Sequence, residues 1–429
     1  MKSSGTNNFL KTLGPGILFA STCIGVSHLV QSTRAGATFG FTLIWAVVLA
    51  NLFKYPFFEF ASRYANATGK SIIDGYKKMG NIYLILYFLI TVGTMFFVAA
   101  AVGYTTAGFL QNLFGIQFEN MPLWTTAFLF MGSVLVLTLG KFKFLDSFIK
   151  VIGAVLLLST IAAFVIALFH GPEGDMASTQ APSIKEATGF AFLIALMGWM
   201  PTAVDIASWS SLWTVERIKQ TGYRPKLKET LLDFNLGYII SGILSVCFLI
   251  MGAYLMFGTS SKLPASPAGF ANGVIDLYAT NMGAWSYYII APAAFSIMLG
   301  TCIAVFDGYA RAIEKCVALM FGTVEEDDTM GQKNDFYTLM VVILAAGAFG
   351  IIYTFSSDKD GFKSLIDFAT TLSFLVAPVI AILNYRLVLS PYVDKAFEPK
   401  SWKKILAVAG IVFLSGFTLI FLIHKLGVF

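Results

Sequence analysis

The stretch GPGILFASTCIGVSHLVQST, residues 14–33, decides how this chain is read. It is apolar, uncharged and as long as a bilayer-spanning helix, yet Gly25-Val26-Ser27-His28 stands at its middle. A second stretch, ALMGWMPTAVDIASW at residues 195–209, is likewise apolar apart from Asp205, with Gly198 and Met200-Pro201-Thr202 at its middle. Glycine weakens a helix and proline removes a backbone donor, so both stretches predict helices interrupted at membrane depth. Such backbone survives in a bilayer only where protein buries it or where it lines a cavity. Either interruption alone fits simple packing, because Gly and Pro are common in membrane helices and small residues let helices approach.

Their places in the chain separate these readings. Eleven apolar runs long enough to span a bilayer lie at about 13–34, 40–62, 83–113, 122–140, 149–170, 188–214, 232–257, 284–307, 336–357, 364–389 and 405–424. The interrupted runs are the first and the sixth, so each opens a half of five spans. An odd number of spans per half inverts the second half against the first. Interrupted segments at corresponding places in inverted halves are the sequence mark of a transporter site. The whole chain of 429 residues forms one transmembrane domain on this reading, with halves at about 13–170 and 188–389 and an additional helix at about 405–424.

Composition agrees. The chain is 57% hydrophobic, and its 12% of charged residues is half the share of a soluble domain. That leaves too little polar surface for a cytosolic enzyme, a nucleic-acid binder, a secreted disulfide scaffold or a disordered protein. The net charge of +5 reports topology rather than a nucleic-acid patch. With the N-terminus inside, 22 Lys and Arg fall in inside segments and 6 outside, while Lys54 lies within a span. The expected location is the inner (cytoplasmic) membrane of a bacterial-type cell, multi-pass, with the C-terminus outside. The polar start MKSSGTNNFLKTLGPG does not read as a cleaved signal peptide. Cys23, Cys247, Cys302 and Cys316 lack metal spacing and read as small buried thiols. There is no G-x4-G-K-[ST] loop for ATP, no catalytic constellation and no cofactor motif. The partners expected are the lipid bilayer and a metal ion or small-molecule substrate.

Several motifs resemble the Nramp (natural resistance-associated macrophage protein) family of metal-ion transporters over most of the chain. GPGILFAS is similar to that family's opening segment. FGFTLIWAVVLANLF, with Ser62-Arg63 and Ala67-Thr68-Gly69-Lys70, resembles its second helix and the turn after it. Asn112-Leu113-Phe114-Gly115-Ile116 is similar to the end of its third helix, and Met200-Pro201 to the start of its M-P-H motif. The resemblance implies an all-α integral membrane protein with the leucine-transporter-like fold, a 5+5 inverted repeat plus one helix. It implies proton-driven metal-ion symport by alternating access, helices 1, 2, 6 and 7 rocking against the rest. The departures fall on the chemistry. The family's D-P-G-N motif aligns with Gly25-Val26-Ser27-His28, so a ligand Asp is Gly25 and a ligand Asn is His28. The ligand Met is kept as Met200, and the His of M-P-H is Thr202. The acidic proton carrier of helix 3 falls near Val102, and a polar Gln of helix 10 near Ala369.

The two interruptions offer the carbonyls of Thr22 and Cys23, the Gly25 turn, and Ser27, His28, Met197, Met200 and Thr202 as a substrate site. None carries fixed negative charge, and a divalent ion shedding its water needs hard oxygens, usually a carboxylate. Met200 and His28, the candidate metal ligands, suit a soft or borderline metal better than Mg or Mn. Helix ends near Thr22 and Met197 present carbonyls to a cation, and those near Ser27 and Thr202 present amides to an anion. A metal complexed with an organic ligand, or a small anionic or zwitterionic solute, is therefore the rival cargo. A non-transporting membrane sensor on the same scaffold is a third reading.

His28 has three roles open to it: ligand, proton acceptor or hydrogen-bonded core residue. Asp205, five residues past Met200 and so on the cytoplasmic side, out of reach of His28, is, like His28, a candidate proton or ion relay, the alternative being an ion pair with Arg217 or a neighbour near the inner interface. Lys54 and Glu59 within the second span are expected to have structural partners. Asp307 and Arg311, four apart, read as a helix ion pair. The acidic run Glu325-Glu326-Asp327-Asp328 reads as a solvated segment.

Overall fold

A chain surrounded by hydrocarbon must satisfy its own backbone N–H and C=O groups, and uninterrupted apolar runs do so as helices. The computed structural model describes residues 12, 14–115, 121–139, 142–260, 263–322 and 335–426, and within them each of the eleven runs is helical. The run Glu325–Asp328 lies outside the described residues. Span 1 is split into α1 (Pro15–Cys23), a π-helical turn (Val26–Ser32) and α2 (Thr33–Phe39). Spans 2 to 5 are α3 (Ile44–Thr68), α5 (Asn81–Phe114), α6 (Met121–Leu139) and α7 (Phe142–His170), with the short α4 (Ile72–Met79) between the first two of these. Span 6 is split into α8 (Ala187–Gly198), a 3-10 turn (Val204–Ile206) and α9 (Ala207–Thr221). Then follow α10 (Leu227–Met256), α11 (Pro267–Met282), α12 (Tyr287–Phe321), α13 (Asp335–Ser356), α14 (Gly361–Val388) and α15 (Ser401–Lys425). Eight of these helices are long and apolar enough to cross a membrane by length and composition, among the described residues.

Several helices run past the expected bounds, most of all at the eighth run, expected to end at about 307, where α12 continues to Phe321. The charges are accommodated: Arg311 Nε donates to Asp307 at 2.8 Å, and Lys315 Nζ lies 2.9 Å from Asp74 of α4. The helix α11 has no counterpart among the eleven runs; Ser266 caps its start by accepting from Gly269 N.

Span 1 packs along α10, and glycine sets how closely. A Cβ on Gly36 would stand 1.9 Å from the Leu249 carbonyl oxygen and 2.6 Å from Ala253 N, both backbone atoms of α10. Asp233 of α10 caps the other end of span 1, accepting from Gly16 N at 2.7 Å and Gly14 N at 3.2 Å, where a carboxylate also offsets the helix dipole. Gly36→Ala should push α2 off α10 and lower stability by about 1–3 kcal/mol, the usual cost of overpacking. Gly350, with nothing within 4 Å of its Cβ position, is the control. Equal melting temperatures for the two alanine variants in detergent would contradict this account of the contact.

Candidate functional site

Both interruptions are real, and they face each other. At the first, Gly25 N turns back to Cys23 O at 2.9 Å, and Gly25 O then accepts from both His28 N and Leu29 N. Ser27 Oγ crosses the break, 2.6 Å from Cys23 O and 2.7 Å from His28 Nδ1, and its single hydroxyl proton serves one of these two acceptors at a time. At the second, Pro201 has no N–H to continue α8, and Trp199–Ala203 runs irregularly into the 3-10 turn. Trp199 anchors that stretch by donating its indole N–H to Ser373 Oγ of α14 at 2.8 Å.

Between the breaks lies a small cleft of about 30 Å³, partly open. Span 1 gives it Thr22, Val26 and Ser27, span 6 gives it Trp199, Thr202 and Ala203, and α5 and α12 supply apolar walls such as Val102 and Val305. Thr22, Ser27 and Thr202 are thus brought together as the spacing proposed. Met200 is fully buried beside them, its sulfur accepting from Ser32 Oγ at 3.7 Å, so it bridges the two interrupted spans. Cys23 is a buried free thiol.

His28 points elsewhere. Its Nε2 lies 2.8 Å from Ser241 O of α10, and a carbonyl only accepts, so that nitrogen carries a proton. Its Nδ1 meets Ser27 Oγ at 2.7 Å. Both ring nitrogens are engaged, and His28 brackets the first break to α10. Gly25 backs onto α12: a Cβ there would stand 3.0 Å from Thr301 Cγ2, so even the root of a carboxylate side chain is crowded.

Asp205 is 3% exposed, on the 3-10 turn after the second break. Its Oδ2 accepts from Thr94 Oγ1 of α5 at 3.0 Å, while Oδ1 makes no hydrogen bond of good geometry among the described residues, the Tyr309 hydroxyl of α12 being near the carboxylate. Among the described residues Asp205 makes no direct ion pair and no contact with His28; the nearby cation that acts on it electrostatically is the buried Lys54 ammonium.

The residue that the sequence undervalued is Lys54. It is fully buried, and its Nζ donates to Met197 O at 2.6 Å, Gly198 O at 2.7 Å and Thr202 O at 3.2 Å. The expectation of a structural partner holds for Glu59, which pairs with Arg63 and Lys403. For Lys54 the partners are main-chain carbonyls created by the break of span 6. The only signal in the sequence was a lysine near the middle of an apolar span. Among the described residues, no group of three His, Cys, Asp or Glu side chains is placed to hold a metal.

The comparisons with known proteins agree with this architecture. The profile of the family described as Natural resistance-associated macrophage protein-like matches residues 16–424. An uncharacterized protein of Pasteurella multocida, PM0681, is 33% identical over 420 residues, 97% of this chain and 92% of that protein. The divalent metal cation transporter MntH of Levilactobacillus brevis is 24% identical over 436 residues, covering 97% and 88%. Among solved structures, the manganese transporter of Eremococcus coleocola aligns with a TM-score of 0.71 at 14% identity, over 98% of this chain and 87% of that one. MhsT, crystallised with L-phenylalanine, aligns at 0.59 with 11% identity, over 95% and 97%. At such identities these two speak for the fold, which is the leucine-transporter-like one expected. A transporter rather than an enzyme, and embedded in the membrane by its many apolar helices, the chain belongs to the Nramp family.

Proposed function

We propose that this protein carries a metal cation across the inner membrane by alternating access, with the cleft between the breaks of spans 1 and 6 as the cargo seat. The observation that carries this reading is the meeting of the two breaks: Thr22, Ser27 and Thr202 share one cleft, and Ser32 Oγ donates to Met200 sulfur, joining the two interrupted spans. Relatives named for divalent metal and for manganese transport support the cargo class. Thioether, hydroxyl and carbonyl donors without a carboxylate favour a soft or borderline ion. The lysine and arginine bias supports an N-terminus inside and a C-terminus outside. The chain works as one domain of two inverted halves, 13–170 and 188–389, braced by the helix at 405–424.

Asp205 is the proposed proton relay. A buried carboxylate with one oxygen making no hydrogen bond of good geometry is an exchangeable site on the cargo path. Proteoliposome uptake of Mn, Fe, Co and Ni ions tests the transport reading; absence of flux for every metal, free or complexed, rejects it, and binding without flux favours a sensor. Met200→Ala should weaken the apparent affinity about tenfold, as for one lost ligand or packing contact. Asp205→Asn should leave uptake indifferent to a pH gradient that drives the wild type. Identical gradient dependence in both would remove Asp205 from the relay. A second reading, a small organic or anionic solute as cargo, is favoured by one observation, the Lys54 ammonium beside the cleft.

A further inference from the structure

We infer that Lys54 is a resident cation: its ammonium fills the carbonyl seat that the broken span 6 offers to an ion, so cargo metal enters with an anionic ligand of its own. The second half of this inference rests on the transport reading; the first does not.

The seat is built from the geometry of the break. Met197 and Gly198 are the last residues of α8, and a helix end leaves its final carbonyls without intrahelical donors and with about half an elementary negative charge. Thr202 turns a third carbonyl to the same point from beyond Pro201. Three oxygens converging on one spot form a cation site. An ammonium has three N–H donors and no acceptor, so Lys54 satisfies all three oxygens and leaves none of its own donors over. The stem rises from α3, so the occupant is tethered and cannot leave with cargo.

What remains around the cleft cannot neutralise a bare divalent ion. Position 25 carries no carboxylate and is crowded by Thr301. Both nitrogens of His28 are engaged. The Cys23 carbonyl already accepts from Gly25 N and competes with His28 Nδ1 for the Ser27 hydroxyl proton. One carboxylate, Asp205, offsets one ammonium, Lys54, and leaves the two charges of the ion unmet. An ion brought in by a ligand bearing carboxylates arrives neutral or negative, and the lysine then attracts it.

The seat is tested with the full-length protein in lipid nanodiscs, using ethylammonium as the probe. Lys54→Ala opens a cavity and takes the ammonium donor from three carbonyls, so its melting temperature should fall, and ethylammonium should restore several degrees of it by binding only the folded state. The wild type, whose seat is filled, should not respond, and neither should Lys54→Met, whose neutral side chain occupies the space. Unaltered melting of Lys54→Ala, or the same ethylammonium shift in all three proteins, overturns the seat. Should the alanine variant fail to fold, acetic anhydride labelling of the folded wild type serves instead: Lys54 must stay unmodified until the chain is denatured, and its modification in the folded protein overturns the assignment.

The cargo half is read by calorimetry with Ni²⁺ alone and Ni²⁺ premixed with citrate. The wild type should bind the citrate complex and bind bare Ni²⁺ at least about tenfold more weakly, while Lys54→Ala should narrow or reverse that ratio. Equal binding of both forms by the wild type removes the cargo claim and leaves metal transport standing. Absence of uptake for every form of metal removes the transport reading and leaves the ethylammonium result standing.

Discussion

Replacing Glu59 with alanine is expected to cost about 3–5 kcal/mol of stability, because it strands two buried cations. The Glu59 side chain is completely buried in α3. Its Oε1 accepts from Arg63 Nη2 at 2.5 Å and from Lys403 Nζ at 2.6 Å, and its Oε2 from Arg63 Nε at 3.0 Å. The side chains of Arg63 and Lys403 are themselves only 5% and 10% exposed. Among the described residues the carboxylate is thus the one anion paired with both cations, holding α3 to the start of α15, while Arg63 also ties down the chain before α15 through Phe397 O at 2.8 Å. Removing the anion exposes each cation to the other and to a low-dielectric interior. Removing a cation as well relieves the imbalance, so Glu59→Ala with Lys403→Met should recover a large part of the loss, which additive effects cannot do. Thermal unfolding of the four proteins in one detergent gives the cycle. A single-mutant loss under about 1 kcal/mol, or no coupling in the cycle, would mean that water reaches this cluster and screens it.

The sequence revealed the features that depend on local composition. Eleven apolar runs became eleven helical spans because hydrocarbon leaves the backbone no other solution. Gly25 and Pro201 marked the breaks because their effect on a helix needs no distant partner. What stayed hidden depends on contacts made far along the chain. Lys54 meets carbonyls 143 to 148 positions away, groups that every residue possesses and that only the break exposes. His28 was an open candidate because its partner Ser241, 213 positions on, cannot be read from local pattern. The run through Asp307 looked like a helix end because its charges were visible and their partners were not, Lys315 meeting Asp74 across the fold. The seventh-run helix α10 shows the same limit: nothing local says that Leu249 would approach the backbone of Gly36.

Asp367→Asn is expected to open the end of the cleft beyond Met200, raising reagent access there about 10–100-fold. Arg34 of α2 grips Asp367 of α14 with both arms of its guanidinium, Nη1 to Oδ1 at 2.7 Å and Nη2 to Oδ2 at 2.9 Å. Gln31 joins them, donating to Asp367 at 3.0 Å and accepting from Arg34 at 2.8 Å, and the guanidinium lies 5.0 Å from the centre of the Phe192 ring. These contacts fasten the second half of span 1 to span 10, two elements that must part if cargo is to pass that end, the outer one in the proposed orientation. Hydrogen bonds to charged groups are each worth about 1.5–3 kcal/mol, and asparagine keeps the shape while losing the paired charge, so an opening equilibrium shifts by one to two powers of ten. The measurement is the labelling rate of a cysteine placed at Ser32, fully buried behind the latch, by an impermeant maleimide in a background without Cys23, Cys247, Cys302 and Cys316. Exchanging the pair, Arg34→Asp with Asp367→Arg, should slow labelling again, since the attraction survives reversal even where the fork geometry does not. Equal rates in the wild type and Asp367→Asn would place the barrier elsewhere, in the packing of Trp199 and Ser373 beneath it, and would reduce the ion pair to a brace between two elements that move together.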